Sequence, residues 1–124
     1  MKKMFGIAFG ALGLGVIGFI ALVAYENTIY GESDVANGKQ KYVQNCLVCH
    51  GERGQGDGLI AATLPKTPVN LHKKFGRLNP VKSGIIGAVL DGRDGGMPAF
   101  EGVLTKNDVN DIMAYVLVQN GETD

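Results

Sequence analysis

The chain has 124 residues, with 12 basic and 12 acidic side chains and a formal charge of zero. This length has no room for two enzyme-sized domains, and the neutral balance argues against a basic nucleic-acid binder, so no nucleic-acid partner is expected. The 45% hydrophobic content hides a division: residues 4–25 are all apolar or glycine, while residues 26–124 hold 38 hydrophobic residues out of 99 and carry 10 basic against 12 acidic groups, a net −2.

The run from Met4 to Tyr25 spans roughly 33 Å as a helix at ~1.5 Å per residue, enough to cross a bilayer core of ~30 Å. Lys2 and Lys3 precede it and Glu26 and Glu32 follow, so the positive-inside rule leaves the amino terminus in the cytoplasm and everything after Tyr25 outside. Residues 1–25 therefore read as a single transmembrane anchor. The competing reading is a cleaved secretory signal. Its apolar core is ordinarily only ~7–15 residues, and Leu22 is bulky for the position three residues before a cut after Ala24. Either reading exports the remainder. Gly6 and Gly10 form a G-x-x-x-G, and Gly15 continues the small-residue spacing, a face that lets a second transmembrane helix approach closely.

Residues 26–32 read as a linker and residues 33–124 as one domain. Ser33 or Asp34 caps a helix running to about Gln44, with Val35, Tyr42 and Val43 as core contacts and Gly38 as a close packing point. Residues 51–58 are a loop with four glycines, and residues 59–64 form a helical turn before Pro65 and Pro68. Asn79-Pro80 starts a helix whose stripe is Val81, Ile85, Ile86, Val89 and Leu90, and Gly92 ends it. Thr105 and Asp108 resemble a capping box ahead of Val109, Ile112, Met113, Val116 and Leu117. No run alternates as a strand does. The domain reads as all-α, with three or more short helices joined by Gly/Pro loops. Its thin apolar content calls for a staple such as a bound cofactor.

Cys46-Leu-Val-Cys49-His50 is a C-x-x-C-H, the attachment signature for c-type haem. Each sulfur adds to a haem vinyl group as a thioether, and His50 reaches the iron from the same side. A thioredoxin-like dithiol would want a βαβ context that the sequence lacks. A zinc site from Cys46, Cys49, His50 and His72 is awkward because His50 directly follows Cys49. A Cys46–Cys49 disulfide would close too small a loop to stabilise much. The glycine loop is no phosphate cradle, having neither the G-x-x-x-x-G-K-[S/T] order nor a preceding strand. Its glycines read instead as a wrap around the haem edge.

For the opposite side of the iron, Met97 is the expected ligand. It lies in Gly95-Gly96-Met97-Pro98-Ala99-Phe100, where the glycines let the backbone approach the haem and Pro98 stiffens the turn. Met113 reads as core, His72 as a solvent-exposed side chain, and Met1 and Met4 belong to the anchor. A thioether ligand raises the reduction potential. Two filled axial positions leave no site for substrate, which points to one-electron transfer and away from an enzyme.

Cys46-Leu-Val-Cys49-His50-Gly51 and Gly96-Met97-Pro98-Ala99-Phe100, in this order and before a terminal amphipathic helix, resemble the class I c-type cytochromes. Residues 33–120 follow that layout. The resemblance implies a small cytochrome c fold around one covalent haem c, preceded here by the anchor as in small membrane-anchored bacterial cytochromes c. It also implies a glycine–aromatic crossing of the first and last helices, matched by Gly38 and Tyr42 with Ile112 and Tyr115. A proline carbonyl accepting from the proximal imidazole is also implied, with Pro65 or Pro68 in that place.

Lys66, Lys73, Lys74, Arg77 and Lys82 make residues 59–90 wholly basic, whereas residues 91–124 hold seven acidic and two basic groups. Such asymmetry suits docking to an acidic redox partner. The expected function is a tethered electron carrier between respiratory or photosynthetic membrane complexes. Two alternatives stand beside it: a fixed relay subunit of one such complex, and, less well supported, a haem enzyme or gas sensor with open iron.

Overall fold

The computed structural model describes residues 2–76 and 82–122, with only the backbone described for residues 2–12, 26 and 27. The chain divides into two compact units, Met1–Gly31 and Glu32–Asp124. The Asn79-Pro80 helix start, Val81 and Arg77 lie outside the described residues.

The first unit is helix α1, Lys2–Tyr30. Residues 13–25 are all exposed and all apolar or glycine, so this stretch is apolar all round. The window Gly13–Tyr30 is long and apolar enough to cross a membrane, a test that a signal sequence also passes. The helix continues past the apolar run through residues 26–30, and residues 31–34 that follow it are without helix. Thr28, whose hydroxyl donates to the Ala24 carbonyl at 2.9 Å, lies in this extension. Gly31, at φ 71°, then permits the turn that ends it.

The second unit is built on α2 (Val35–Asn45) and α6 (Lys106–Gln119), with α3 (Leu47–His50), α4 (Leu71–Phe75) and α5 (Lys82–Asp91) around them. A 3₁₀ turn covers Ala61–Thr63. Among the described residues no strand forms, and the Arg93–Met97 bridge is isolated. Asp34, not Ser33, caps α2: its carboxylate accepts from the amides of Ala36 and Asn37 at 2.9 and 3.0 Å.

Helices α2 and α6 cross at Gly38. A Cβ there would collide with the Asp111 carbonyl and approach the Ile112 amide nitrogen to 3.0 Å. One turn on, Tyr42 is wholly buried, and its ring centroid lies 5.4 Å from that of Tyr115 at a tilt of 53°. Polar groups fix the register. The Asp34 amide donates to Asp111 Oδ1 at 2.8 Å, and Asn37 Nδ2 donates to Asp111 Oδ2 at 2.7 Å and to Asp108 Oδ1 at 3.1 Å. These partners explain why Asp111 can be buried beside an apolar stripe. All of Val109–Val116 is buried, so α6 is the centre of the unit and not a one-sided amphipathic helix. Met113 is core. Val43, expected in the core, is 50% exposed, because α2 turns only its Gly38–Tyr42 face to α6.

The Thr105–Asp108 capping box forms, with each residue accepting from the other's backbone amide. Burial pushes the Asp108 carboxyl up. The Thr105 amide and hydroxyl, the Asn37 amide and the Lys41 ammonium outweigh it and bring its pKa down to about 2. A depressed carboxyl adds stability above its unfolded value of ~3.9, lost as pH falls through about 2. Asp108→Ala should therefore cost ~1 kcal/mol at neutral pH. That difference from wild type should shrink between pH 4 and pH 2, read by denaturant titration at each pH. Gly38→Ala should cost ~1–3 kcal/mol, lowering Tm by ~4–8 °C per kcal/mol. An unchanged melting curve for that variant would contradict the close crossing.

Candidate functional site

The C-x-x-C-H turn is placed by the α2–α6 crossing. Cys46 ends α2, its amide donating to the Tyr42 carbonyl at 2.8 Å, and the chain re-enters helix at once for Leu47–His50. The buried Tyr42 hydroxyl donates to the Gly51 carbonyl at 2.6 Å, which ties the far end of the turn to α2. That burial, reinforced by Cys46 and Tyr115, pushes the Tyr42 phenol well above its ordinary value, so it stays a donor.

The glycine loop does not line the site. It folds against the back of the C-x-x-C-H turn and collects that turn's carbonyls. The amides of Gly56, Gly58 and Ile60 donate to the carbonyls of His50, Cys49 and Val48 at 2.9, 3.1 and 3.1 Å. Gly56, at φ 85°, has the Pro68 carbonyl where a Cβ would stand, and a Cβ on Gly58 would meet the Val48 carbonyl. The glycines answer to backbone packed on backbone, not to a wrapped ligand edge.

On the other side of the turn lies an open cleft of about 180 Å³. Its base holds Asn45, Cys46, Cys49 and His50. One wall is Leu64 with residues 66–69, and the other is Arg93–Pro98 with Phe100. The four residues singled out in the sequence, Cys46, Cys49, His50 and Met97, thus face one cavity. His72 does not join them. It lies on α4, a short helix that sequence reasoning missed, with Nε2 2.8 Å from Glu122 Oε1. Its only forewarning was Asn70, whose side chain caps α4 at the Lys73 amide at 2.9 Å. Among the described residues no three His, Cys, Asp or Glu side chains cluster as metal ligands, so the zinc set of Cys46, Cys49, His50 and His72 is not assembled.

His50 is buried, and its Nδ1 stands 3.3 Å from the Val69 carbonyl oxygen. The acceptor is Val69, the residue after Pro68, and neither Pro65 nor Pro68; the Pro68 carbonyl is already turned onto Gly56. A proton on Nδ1 donated to that carbonyl leaves Nε2 as the nitrogen free to bind a metal. Burial lowers the His50 pKa, against the opposing pull of the Val69 carbonyl, and so favours the neutral imidazole that binds metals. Burial, with Cys49 alongside, pushes the Cys46 thiol up to about 12, the reverse of the acidic thiol a dithiol oxidoreductase requires. Both cysteines are unpaired thiols.

Met97 is carried by a loop anchored to the end of α5. The Arg93 amide donates to the Met97 carbonyl at 3.0 Å, and the amides of Phe100 and Glu101 donate to the Leu90 carbonyl, each at 3.0 Å. Gly92 ends α5 at φ 76°, as expected. Gly95 and Gly96 face Lys66, Leu64 and Pro65, so their missing side chains make room for the opposite wall. Of the basic stretch, Lys66 reaches the cleft, joined there by Arg93 and Asp94. Lys73 and Lys74 sit on α4, and Lys82 Nζ donates to the buried Asn110 Oδ1 at 3.0 Å.

The donor set fits a covalently held haem. Two thiols and one imidazole lie on a single turn, a thioether stands on the facing loop, and the intervening walls are mostly apolar. Residues 33–116 match the family model described as cytochrome C oxidase, cbb3-type, subunit III. The chain is 32% identical over 83 residues to the cbb3-type cytochrome c oxidase subunit FixP of Bradyrhizobium diazoefficiens, covering 67% of this chain and 27% of that protein. It is 33% identical over 122 residues to cytochrome c6 of Synechocystis sp., covering 95% and 88% respectively. It is 32% identical over 120 residues to cytochrome c6 of Porphyra purpurea, covering 97% and 96%. The chain therefore spans about a quarter of the length of the FixP proteins it matches.

Tyr42→Phe should cost ~0.5–1.5 kcal/mol, because it removes one of two hydrogen bonds to the Gly51 carbonyl, which keeps the Gly54 amide at 3.1 Å. Thermal unfolding of the pair checks this, and equal midpoints would show that the hydroxyl does not hold the turn.

Proposed function

This chain is a c-type cytochrome, a member of the family described as cytochrome c oxidase, cbb3-type, subunit III, and from that premise we propose that it is a membrane-tethered one-electron carrier. Membership implies haem c, which when bound supplies a reversible one-electron couple at iron. Cys46 and Cys49 would hold it by thioether bonds, and His50 Nε2 and the Met97 sulfur on the facing loop would bind its iron. The observation that carries this reading is the convergence of those four residues, 51 positions apart at the extremes, on one cleft.

The chain's own groups then have defined tasks. The Val69 carbonyl holds the Nδ1 proton and sets the plane of the His50 ring. Leu64, Val69 and Phe100 give the cleft apolar lining. The soft Met97 sulfur favours the reduced state and raises the potential. His50 and Met97 would both bind the iron and leave no position for a substrate, which supports a carrier that is not itself an enzyme.

Residues 1–25 serve as the anchor, with Lys2 and Lys3 on the cytoplasmic side and the haem domain of residues 33–124 on the periplasmic or outer face of the inner membrane. Donor and acceptor are membrane redox complexes. Tethering keeps the domain concentrated near them. The matches along nearly the whole of two cytochromes c6 support a self-contained carrier. The name of the FixP relatives, together with only four non-helical residues at 31–34, supports the second reading, a fixed relay subunit of a larger complex.

The test is an absorption spectrum of the protein matured in a haem-c-assembling host and extracted in mild detergent. The oxidised protein should show a sulfur–iron charge-transfer band, and Met97→Ala should abolish it and let the reduced form bind carbon monoxide. A wild-type protein without the band that binds carbon monoxide would overturn His/Met ligation and favour an open-iron enzyme or sensor. Size analysis of the same extract should find a lone chain. Stoichiometric co-migration with a larger complex would replace the carrier by the subunit.

A further inference from the structure

The loop bearing Met97 is held from two sides. On one, its backbone is hydrogen-bonded to Arg93 and to the end of α5. On the other, it lies directly on the segment Leu64–Lys66. Gly95 and Gly96 adopt φ 105° and 115°. A Cβ on Gly95 would come within 2.6, 2.8 and 3.0 Å of Lys66 Cδ, Cγ and Cβ, and one on Gly96 within 3.3 Å of Leu64 Cδ2 and 3.5 Å of Pro65 Cδ. Two consecutive glycine backbones, immediately before the methionine, are thus covered by one short stretch of chain.

That stretch is a firm support. It follows the 3₁₀ turn Ala61–Thr63, Pro65 fixes its backbone, and the Pro68 carbonyl packs on Gly56. Lys66 as a whole is exposed, so its ammonium lies in water while its methylene stem covers Gly95.

We infer that the methylene stem of Lys66, backed by Leu64 and Pro65, is a brace that positions Met97 over the cleft. The inference rests on Met97 as axial ligand. Lys66 is then a positioning residue whose carbons act and whose charge does not. Removing the stem lets the loop move into the vacated space and increases the fraction of time Met97 is away from the iron. An added ligand that competes with Met97 reads that fraction directly, because its apparent affinity scales with the competent population.

The experiment measures imidazole binding to the oxidised, full-length holoprotein, together with the sulfur–iron charge-transfer band. Lys66→Ala should weaken the band and tighten imidazole binding by roughly tenfold. Lys66→Met keeps the stem without the charge and should stay within about twofold of wild type. If Lys66→Ala binds imidazole as wild type does, the brace is overturned. It is equally overturned if Lys66→Met matches Lys66→Ala, since the charge would then be the active feature. A wild-type protein lacking the band overturns the axial role of Met97 and the brace with it. A wild-type band with unmoved variants overturns the brace alone.

Discussion

The close approach of α2 and α6 at Gly38 is the contact on which the rest of the haem domain depends. No side chain fits between Gly38 and the Asp111 carbonyl, so the helices meet backbone to backbone. That proximity brings Tyr42 against Tyr115 one turn later, and it seats Asn37 and the Asp34 amide on Asp111. An aromatic pair of this kind contributes ~0.5–1.5 kcal/mol beyond its buried area. The polar contacts add little net energy, but they forbid a shifted register, which would leave Asp111 buried and unpaired.

From this crossing the site is built by short reach. Tyr42 holds both ends of the C-x-x-C-H turn, receiving the Cys46 amide on its carbonyl and giving its hydroxyl to Gly51. The turn is too short to satisfy its own carbonyls, so the loop of residues 51–60 supplies the missing donors. That leaves the front of the turn, with its two thiols and imidazole, as one face of an apolar cleft. The facing wall has no helix of its own. It is a glycine-rich loop hydrogen-bonded to the end of α5 and pressed against the stretch of residues 64–66.

Several features escaped a linear reading for identifiable reasons. Helix α4 is five residues long, below the length at which periodicity can be seen, and only Asn70 marks its start. The glycines at 56, 58, 95 and 96 were legible as permissive positions. What fills the space beside each is chain from 48–49, 64–66 or 68, and no local pattern encodes such a partner. The carbonyl that receives His50 is that of Val69, because Pro68 turns its own toward Gly56; that choice rests on a two-residue loop geometry. The buried Asn110 and Asp111 fall outside the apolar stripe of α6. They are interior because α2 and Lys82 bring them partners.

The sequence by itself determined the chemistry and the class: an apolar amino-terminal helix, an all-α domain, a C-x-x-C-H, a methionine in a stiff glycine-proline turn, and the capped terminal helix. These are legible because spacing, capping and hydropathy act over a few residues, within the reach of local rules. Only the tertiary structure decided which residues share the cleft, which carbonyl orients His50, where His72 is spent, and what the loop glycines lie against. Those outcomes depend on contacts between residues 9 to 74 positions apart, which no local pattern specifies.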